Sequence, residues 1–185
     1  MEMGYHATRI DEIAARMGST KGRVYHHFAS KVAVYIAVHQ EGMARLFEAI
    51  EPAMSVKGSG LDVLRAMLLA HAEAMLEHQA LETVVTQGVQ LQRFSASTPE
   101  QDAVFDELIA SRDRFEALFK RQLSAGIRDG SITKVDRSIT VKVLLGALQW
   151  SIYWYCPSKG ENRTSRAALA RTMVAALLDG LRPRD

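Results

Sequence analysis

Cysteine is nearly absent from this chain. Cys156 stands alone among 185 residues, so no internal disulfide can form. That excludes a disulfide-stapled secreted scaffold and fits a reducing compartment. Lying between Tyr155 and Pro157, the residue reads as a small packed side chain rather than a reactive thiol. Long apolar runs are lacking too. The most apolar stretch, 143–155, is interrupted by Gln149 and Ser151 and is too short to span a bilayer, and no charged leader precedes an apolar segment. The expectation is a cytoplasmic protein with no membrane partner. No segment alternates with period two for long enough to make a sheet, and no internal repeat is evident, which leaves an all-α fold. Catalytic signatures are missing as well: there is no Gly-x-Ser-x-Gly elbow, no His-Glu-x-x-His pair and no phosphate-binding glycine loop. Neither an enzyme nor a cofactor is expected. Charge of one sign is not in excess, since 23 basic residues face 21 acidic ones for a formal net charge of +2. That balance permits a nucleic-acid partner without demanding one. Apolar content of 48% is ordinary for a globular chain able to bury a substantial core.

What is present is concentrated in residues 8–31, TRIDEIAARMGSTKGRVYHHFASK. Thr8 is read as an N-cap with Asp11 at capping-box distance and Glu12 beside it. Ile10, Ile13, Ala14 and Met17 recur at i, i+3, i+4 and i+7, the pattern of a short amphipathic helix, and Gly18 stops it. Ser19 or Thr20 caps a second helix from Lys21 to about Phe28, and Ser30 caps a third that starts at Lys31. Two helices joined by a short Gly-containing turn make a helix-turn-helix. In the second helix Val24 and Phe28 face inward, so Gly22, Arg23 and His26 face outward, with Lys21 and Tyr25 on the flanks. A donor-rich outer face with a bare Gly suits close approach to a major groove: Arg pairs with guanine edges, while Lys, Tyr and His reach phosphates. Thr8, Thr20, Lys21, Gly22, Arg23, Tyr25, His26, His27 and Lys31 are the candidate DNA contacts. On spacing alone, a solvated polar face explains the pattern equally well.

The residues themselves go further. Gly4-Tyr5-His6-Ala7-Thr8, Ile10-Asp11-Glu12-Ile13-Ala14, Gly18-Ser19-Thr20-Lys21-Gly22 and Val24-Tyr25-His26-His27-Phe28-Ala29-Ser30-Lys31 together resemble the DNA-binding domain of the tetracycline-repressor (TetR/AcrR) family. The resemblance implies an all-helical homodimeric transcription regulator, usually a repressor, released from its operator by a small ligand. In that family a full helix precedes the Gly-Tyr segment, whereas only Met1-Glu2-Met3 stands before Gly4 here. The expectation is therefore either a truncated chain or a misassigned start, with Ile10, Ile13 and Phe28 missing part of their cover in the sequence as it stands.

The third helix should run from Lys31 to about Ile50 with Val34, Val38, Leu46 and Ile50 on its apolar side. Pro52 ends it, and the loop-like Ser55–Gly60 segment marks a boundary. This divides the chain into a helix-turn-helix domain over 1–51 and a ligand-binding and dimerisation domain over 52–185. Further helices are expected over 61–79, over 81–94, and from a Thr98-Pro99-x-Gln101 start to about Ala125, with Gly126 and Gly130 as stops. Asp136 should cap a helix reaching Tyr155, and Thr164 or Ser165 one reaching Leu181. Both last helices carry two apolar stripes. In the first, Val141, Leu144, Leu145, Leu148 and Ile152 form one stripe, and Val143, Ala147, Trp150 and Trp154 the other. In the second, Leu169, Met173, Ala176, Leu177 and Leu181 lie beside Val174 and Leu178. A helix apolar on two sides is buried on two sides, so these helices, with small residues Gly146, Ala147, Ala175 and Ala176, are expected to form a homodimer interface. The alternative is a monomer with both helices inside one core.

His71 and His78 are seven residues apart, a spacing that does not let two imidazoles share an ion, so no metal site is expected and His71 reads as a hydrogen-bonding group lining a pocket. Met67, His71, Met75, Gln87, Leu91, Phe94, Phe105, Phe115, Trp150 and Trp154 are the candidate ligand contacts, Met suiting an adaptable apolar cavity. The Trp150–Pro157 tail, followed by a capped helix, is similar to the subgroup controlling fatty-acid and steroid catabolism. That likeness implies an apolar, acyl-CoA-like effector, its anionic head met by Arg93, Arg112 or Arg114. A DNA-independent helical carrier of apolar molecules is the competing reading.

Overall fold

The computed structural model describes residues 8–94 and 99–179, with side chains outside 87–94 and 99–104. Every regular element among them is helical: α1 (Ile10–Arg16), α2 (Lys21–His27), α3 (Lys31–Ile50), a 3-10 turn (Pro52–Ser55), α4 (Gly60–Glu77), α5 (Gln79–Phe94), α6 (Pro99–Asp129), α7 (Arg137–Gln149), α8 (Ser151–Trp154) and α9 (Arg163–Leu178). They group into two compact units. Of the described residues, the first takes those up to 43 and those of 80–109, the second 44–79 and those from 110 onward, so that the division falls within α3 and within α6.

In the first unit, α1 and α2 close over a small core of Ile10, Ala14 and Val24, with Ile13, Phe28 and Val34 packed against it. Local chemistry sets both helices. Gly18 adopts φ +61, and the Ser19 and Gly18 N–H groups donate to the Ala14 and Ala15 carbonyls, which closes α1 in a Schellman turn. The cap differs from expectation. It lies at Arg9, not Thr8, and the Glu12 carboxylate accepts from the Arg9 N–H at 3.1 Å. Arg carries no acceptor, so the longer Glu12 side chain supplies the only reciprocal bond and Asp11 is left outside the cap. Met17 also departs from the expected stripe: as C-cap it is 70% exposed. Thr20 and Ser30 cap as expected, accepting from the Arg23 N–H (3.3 Å) and the Ala33 N–H (3.1 Å). A second core in this unit joins Tyr35, Val84, Phe105 and Leu108, and the Tyr35 hydroxyl donates to the Val84 carbonyl at 3.0 Å.

The second unit is built around α4, which packs against α7, α8, α9 and the 3-10 turn. Ser59 and Asp62 form its capping box. Leu64, Met67, Leu68, His71, Ala72, Met75 and Leu76 are all buried, while Arg65, Leu69 and Glu73 on the other side of the helix are half-buried and Asp62 and Glu77 exposed. Its first residue explains an error of the sequence reading. Gly126 does not stop α6, which continues to Asp129 before Gly130 turns at φ +80. The two glycines instead allow close packing: a Cβ on Gly60 would stand 2.2 Å from the Gly126 nitrogen, and one on Gly126 would stand 2.4 Å from Ile132 Cδ1. Gln122 Nε2 donates to the Gly60 carbonyl and the Gly60 N–H donates to Asp129 Oδ2, fixing the crossing.

Asp136 caps α7 by accepting from the Ile139 N–H at 2.8 Å. The helix breaks at Trp150 rather than running to Tyr155, and Gln79 Nε2 donates to the Ile152 and Tyr155 carbonyls beyond the break. Asn162 caps α9, with Ser165 as its reciprocal partner, two or three residues ahead of those expected to cap it. The expected Thr98 cap and the Leu181 end lie outside the described residues.

Candidate nucleic-acid interface and effector region

Helix α2 presents its chemistry outward. Val24 is its one buried residue and Phe28 is half-buried behind it; Lys21, Gly22, Arg23, Tyr25, His26 and His27 are all exposed. The His26 and His27 rings meet edge to face at 5.3 Å. Lys31 and Thr8 are half-buried, at the start of α3 and just before α1. Gly22 is informative because a Cβ there would meet no atom of the described residues within 4 Å. The fold does not ask for glycine at this site, and glycine within a helix costs roughly 0.5–1 kcal/mol relative to alanine. Lys21 is not idle in the free protein, since its Nζ lies 3.0 Å from Asp11 Oδ1.

The expected ligand contacts are divided between the two units and the side chains outside the described residues. Met67, His71, Met75 and Phe115 are buried together in the second unit. Phe105 belongs to the Tyr35–Val84 core of the first. The side chains of Gln87, Leu91, Phe94 and Arg93 lie outside the described residues. Trp150 and Trp154 are 61% and 47% exposed, at and just beyond the break after α7.

His71 is the polar anomaly of the second unit. Its ring lies 5.3 Å from Phe115 and 6.0 Å from Phe119, centroid to centroid, and Phe47 meets Phe115 from the other direction at 5.2 Å. Neither ring nitrogen has a hydrogen-bond partner. Burial among these rings pushes the imidazole down to about 4, so it is neutral at pH 7. The sequence predicts hydrogen bonds here; the ring makes none among the described residues. An unpartnered buried polar group costs about 1–3 kcal/mol, so one kept in a native core calls for a reason other than packing. In the first unit Glu82 is equally buried, with neither oxygen partnered, and burial pushes its carboxyl up to about 8.

Residues 57–181 match the family model described as tetracyclin repressor-like, C-terminal domain, and residues 1–38 match that of bacterial regulatory proteins, tetR family. The chain belongs to the TetR family. Two curated relatives are the HTH-type transcriptional activator FasR of Mycolicibacterium smegmatis, 32% identical over 135 residues, and the repressor KstR2 of the same organism, 26% identical over 181. The FasR match spans 69% of this chain and 61% of FasR; that with KstR2 spans 97% and 83%. Among solved structures, the TetR-family regulator PfmR from Thermus thermophilus superposes with a TM-score of 0.80 at 28% identity, covering 98% of this chain and 93% of that one.

As a TetR-family protein the chain is a transcriptional regulator, in line with the reading that found no catalytic constellation. The second stripe marked on the sequence, Val143, Ala147, Trp150 and Trp154, is exposed among the described residues, as are Ile139 and Tyr153, and the Trp150 and Tyr153 rings lie tilted to each other at 4.6 Å. On α9 the buried line is Ala170, Val174 and Leu178, while Leu169, Met173 and Leu177 are half-buried and Ala175 and Ala176 exposed. No described helix is long and apolar enough to cross a membrane, and no three described His, Cys, Asp or Glu residues are placed to hold a metal ion.

Proposed function

We propose that this chain is a cytoplasmic repressor that binds a near-palindromic operator as a homodimer and lets go when an acyl-thioester occupies its helical domain. The observation that carries the reading is the polarity of α2, where one buried side, Val24, holds Arg23, His26 and a bare Gly22 out to solvent. Arg23 reads a base edge; Lys21, Tyr25, His26, His27 and Lys31 serve phosphates, with Thr8 and Thr20 at the helix starts beside them. Dimerisation through the outer face of α7 and α8 and the small residues of α9 would cover the exposed tryptophans and set two heads at half-site spacing. Trp150 and Trp154 are thereby assigned to the subunit contact rather than to the effector.

The effector reading draws on proteins of this fold. AibR has been solved with isovaleryl coenzyme A and operator DNA (TM-score 0.73, 23% identity, 95% of this chain and 89% of that one), and the Bacillus subtilis regulator FadR with stearoyl-CoA (0.67, 19%, 98% and 92%). In this chain Met67, Met75, Phe115 and the unpartnered His71 supply apolar walls and one neutral donor-acceptor ring suited to a thioester or amide oxygen. Release follows from differential affinity: moving a two-state population from 1:99 to its reverse takes about 5.5 kcal/mol of preference for the released state.

Operator fragments selected from a randomised duplex library, titrated with the protein and followed by fluorescence anisotropy, test this directly. Binding steep in salt, with a dimer in sedimentation and release by stearoyl-CoA or isovaleryl-CoA, is the expected result. A monomer at micromolar concentration removes the dimer. Absence of any response to either thioester removes the effector class and leaves the operator reading standing.

A further inference from the structure

We propose that Asp11 is a specificity-determining residue that suppresses binding to arbitrary duplex. The inference rests on the DNA-binding reading of α2. Asp11 Oδ1 lies 3.0 Å from Lys21 Nζ, which also donates to Oδ2 at 3.4 Å, and Asp11 Oδ2 lies 3.8 Å from Arg9 Nη2. One carboxylate thus sits between the cation that opens α2 and the cation that precedes α1.

The fold has little use for it. Glu12, not Asp11, reaches back to the Arg9 N–H. Exposed ion pairs contribute about 0–1 kcal/mol, and all three side chains are exposed. The consequence lies outside the chain. In a helix-turn-helix the N-terminal residues of the recognition helix enter the groove, so Asp11 stands beside the polyanion and offsets one of the two positive charges nearest to it.

Binding to arbitrary duplex is essentially all phosphate electrostatics. There, Asp11 subtracts from every register the head samples. On the operator, base contacts hold one register, in which Asp11 also keeps Lys21 aimed; that orientation counters the repulsion. A repulsive group that penalises wrong partners more than the right one widens the ratio between them.

The test compares the wild-type protein with Asp11→Asn on two probes, a selected operator duplex and a random-sequence duplex of equal length, across a salt series. On the random duplex Asp11→Asn tightens binding roughly three- to tenfold at low salt and steepens the log K against log salt slope by about one. On the operator the gain is smaller or absent, and in a Lys21→Ala background the operator-to-random ratio no longer responds to Asp11→Asn. An unchanged melting temperature shows that the effect is not structural, and Asp11→Ser serves should the amide disturb α1. Equal tightening on both probes, or no change on either, overturns the proposal while leaving the regulator reading intact. A wild-type protein that binds no duplex overturns both.

Discussion

Helices α2 and α4 are built on opposite plans. One buried residue, Val24, holds α2 to the protein and every polar group is turned out; α4 buries Leu64, Met67, Leu68, Met75 and Leu76 and turns its one polar ring, His71, in. The first plan makes a surface that acts on whatever approaches. The second makes a core whose polar member stays unsatisfied until something enters or the packing shifts. Stability and function are therefore separable in α2 and entangled in α4.

The largest expected effect tests the α4 side. Phe119 is fully buried against His71, and Phe119→Ala should cost about 3–5 kcal/mol in urea unfolding. A loss under about 1 kcal/mol would mean that the His71 cage is loosely packed.

The next concerns pH. Burial raises the Glu82 carboxyl from 4.5 to about 8, so between those values the folded protein keeps a proton that the unfolded chain has released, and stability falls as pH rises through the window. His71, lowered from 6.5 to about 4, acts the other way: the unfolded chain takes up a proton that the folded state excludes, and stability falls as pH drops through that window. The two slopes oppose each other where the windows overlap, leaving Glu82 alone above pH 6.5. The urea midpoint should decline from pH 6.5 to about 8, and Glu82→Gln should flatten that decline. A decline that persists in Glu82→Gln assigns it to another group.

Smaller, but with two signs, is Gly22→Ala. Since a Cβ at Gly22 meets nothing within 4 Å, the free protein should gain roughly 0.5–1 kcal/mol in thermal or urea unfolding. Operator affinity should fall, because DNA then meets a methyl group. Stabilisation without loss of affinity would place the groove farther from α2 than proposed.

The same contrast explains what the sequence disclosed. Caps, turns and the outward face of α2 are set by residues within a few positions of one another, so Thr20, Ser30, Gly18 and the Val24–Phe28 anchor could be read directly. Where two local options competed, at Thr8 against Arg9, the reach of Glu12 decided and the reading missed it. The second stripe of α7 was legible as apolar periodicity, although its helix breaks at Trp150. Long-range facts were not legible. Gly126 looks like a helix stop until Gly60 is brought against it, and His71 looks like a hydrogen-bonding residue until α6 supplies Phe115 and Phe119 instead of a partner. Glu82 gives no local sign of its burial at all.

The most direct test of the outward-facing α2 is Arg23→Ala, measured by anisotropy on a selected operator and on a random duplex, with the melting temperature as a control. Loss of about 1–3 kcal/mol on the operator with relaxed preference at one base, a much smaller loss on random DNA and an unchanged melt is the predicted result. Equal losses on both duplexes, or none on either, would contradict it.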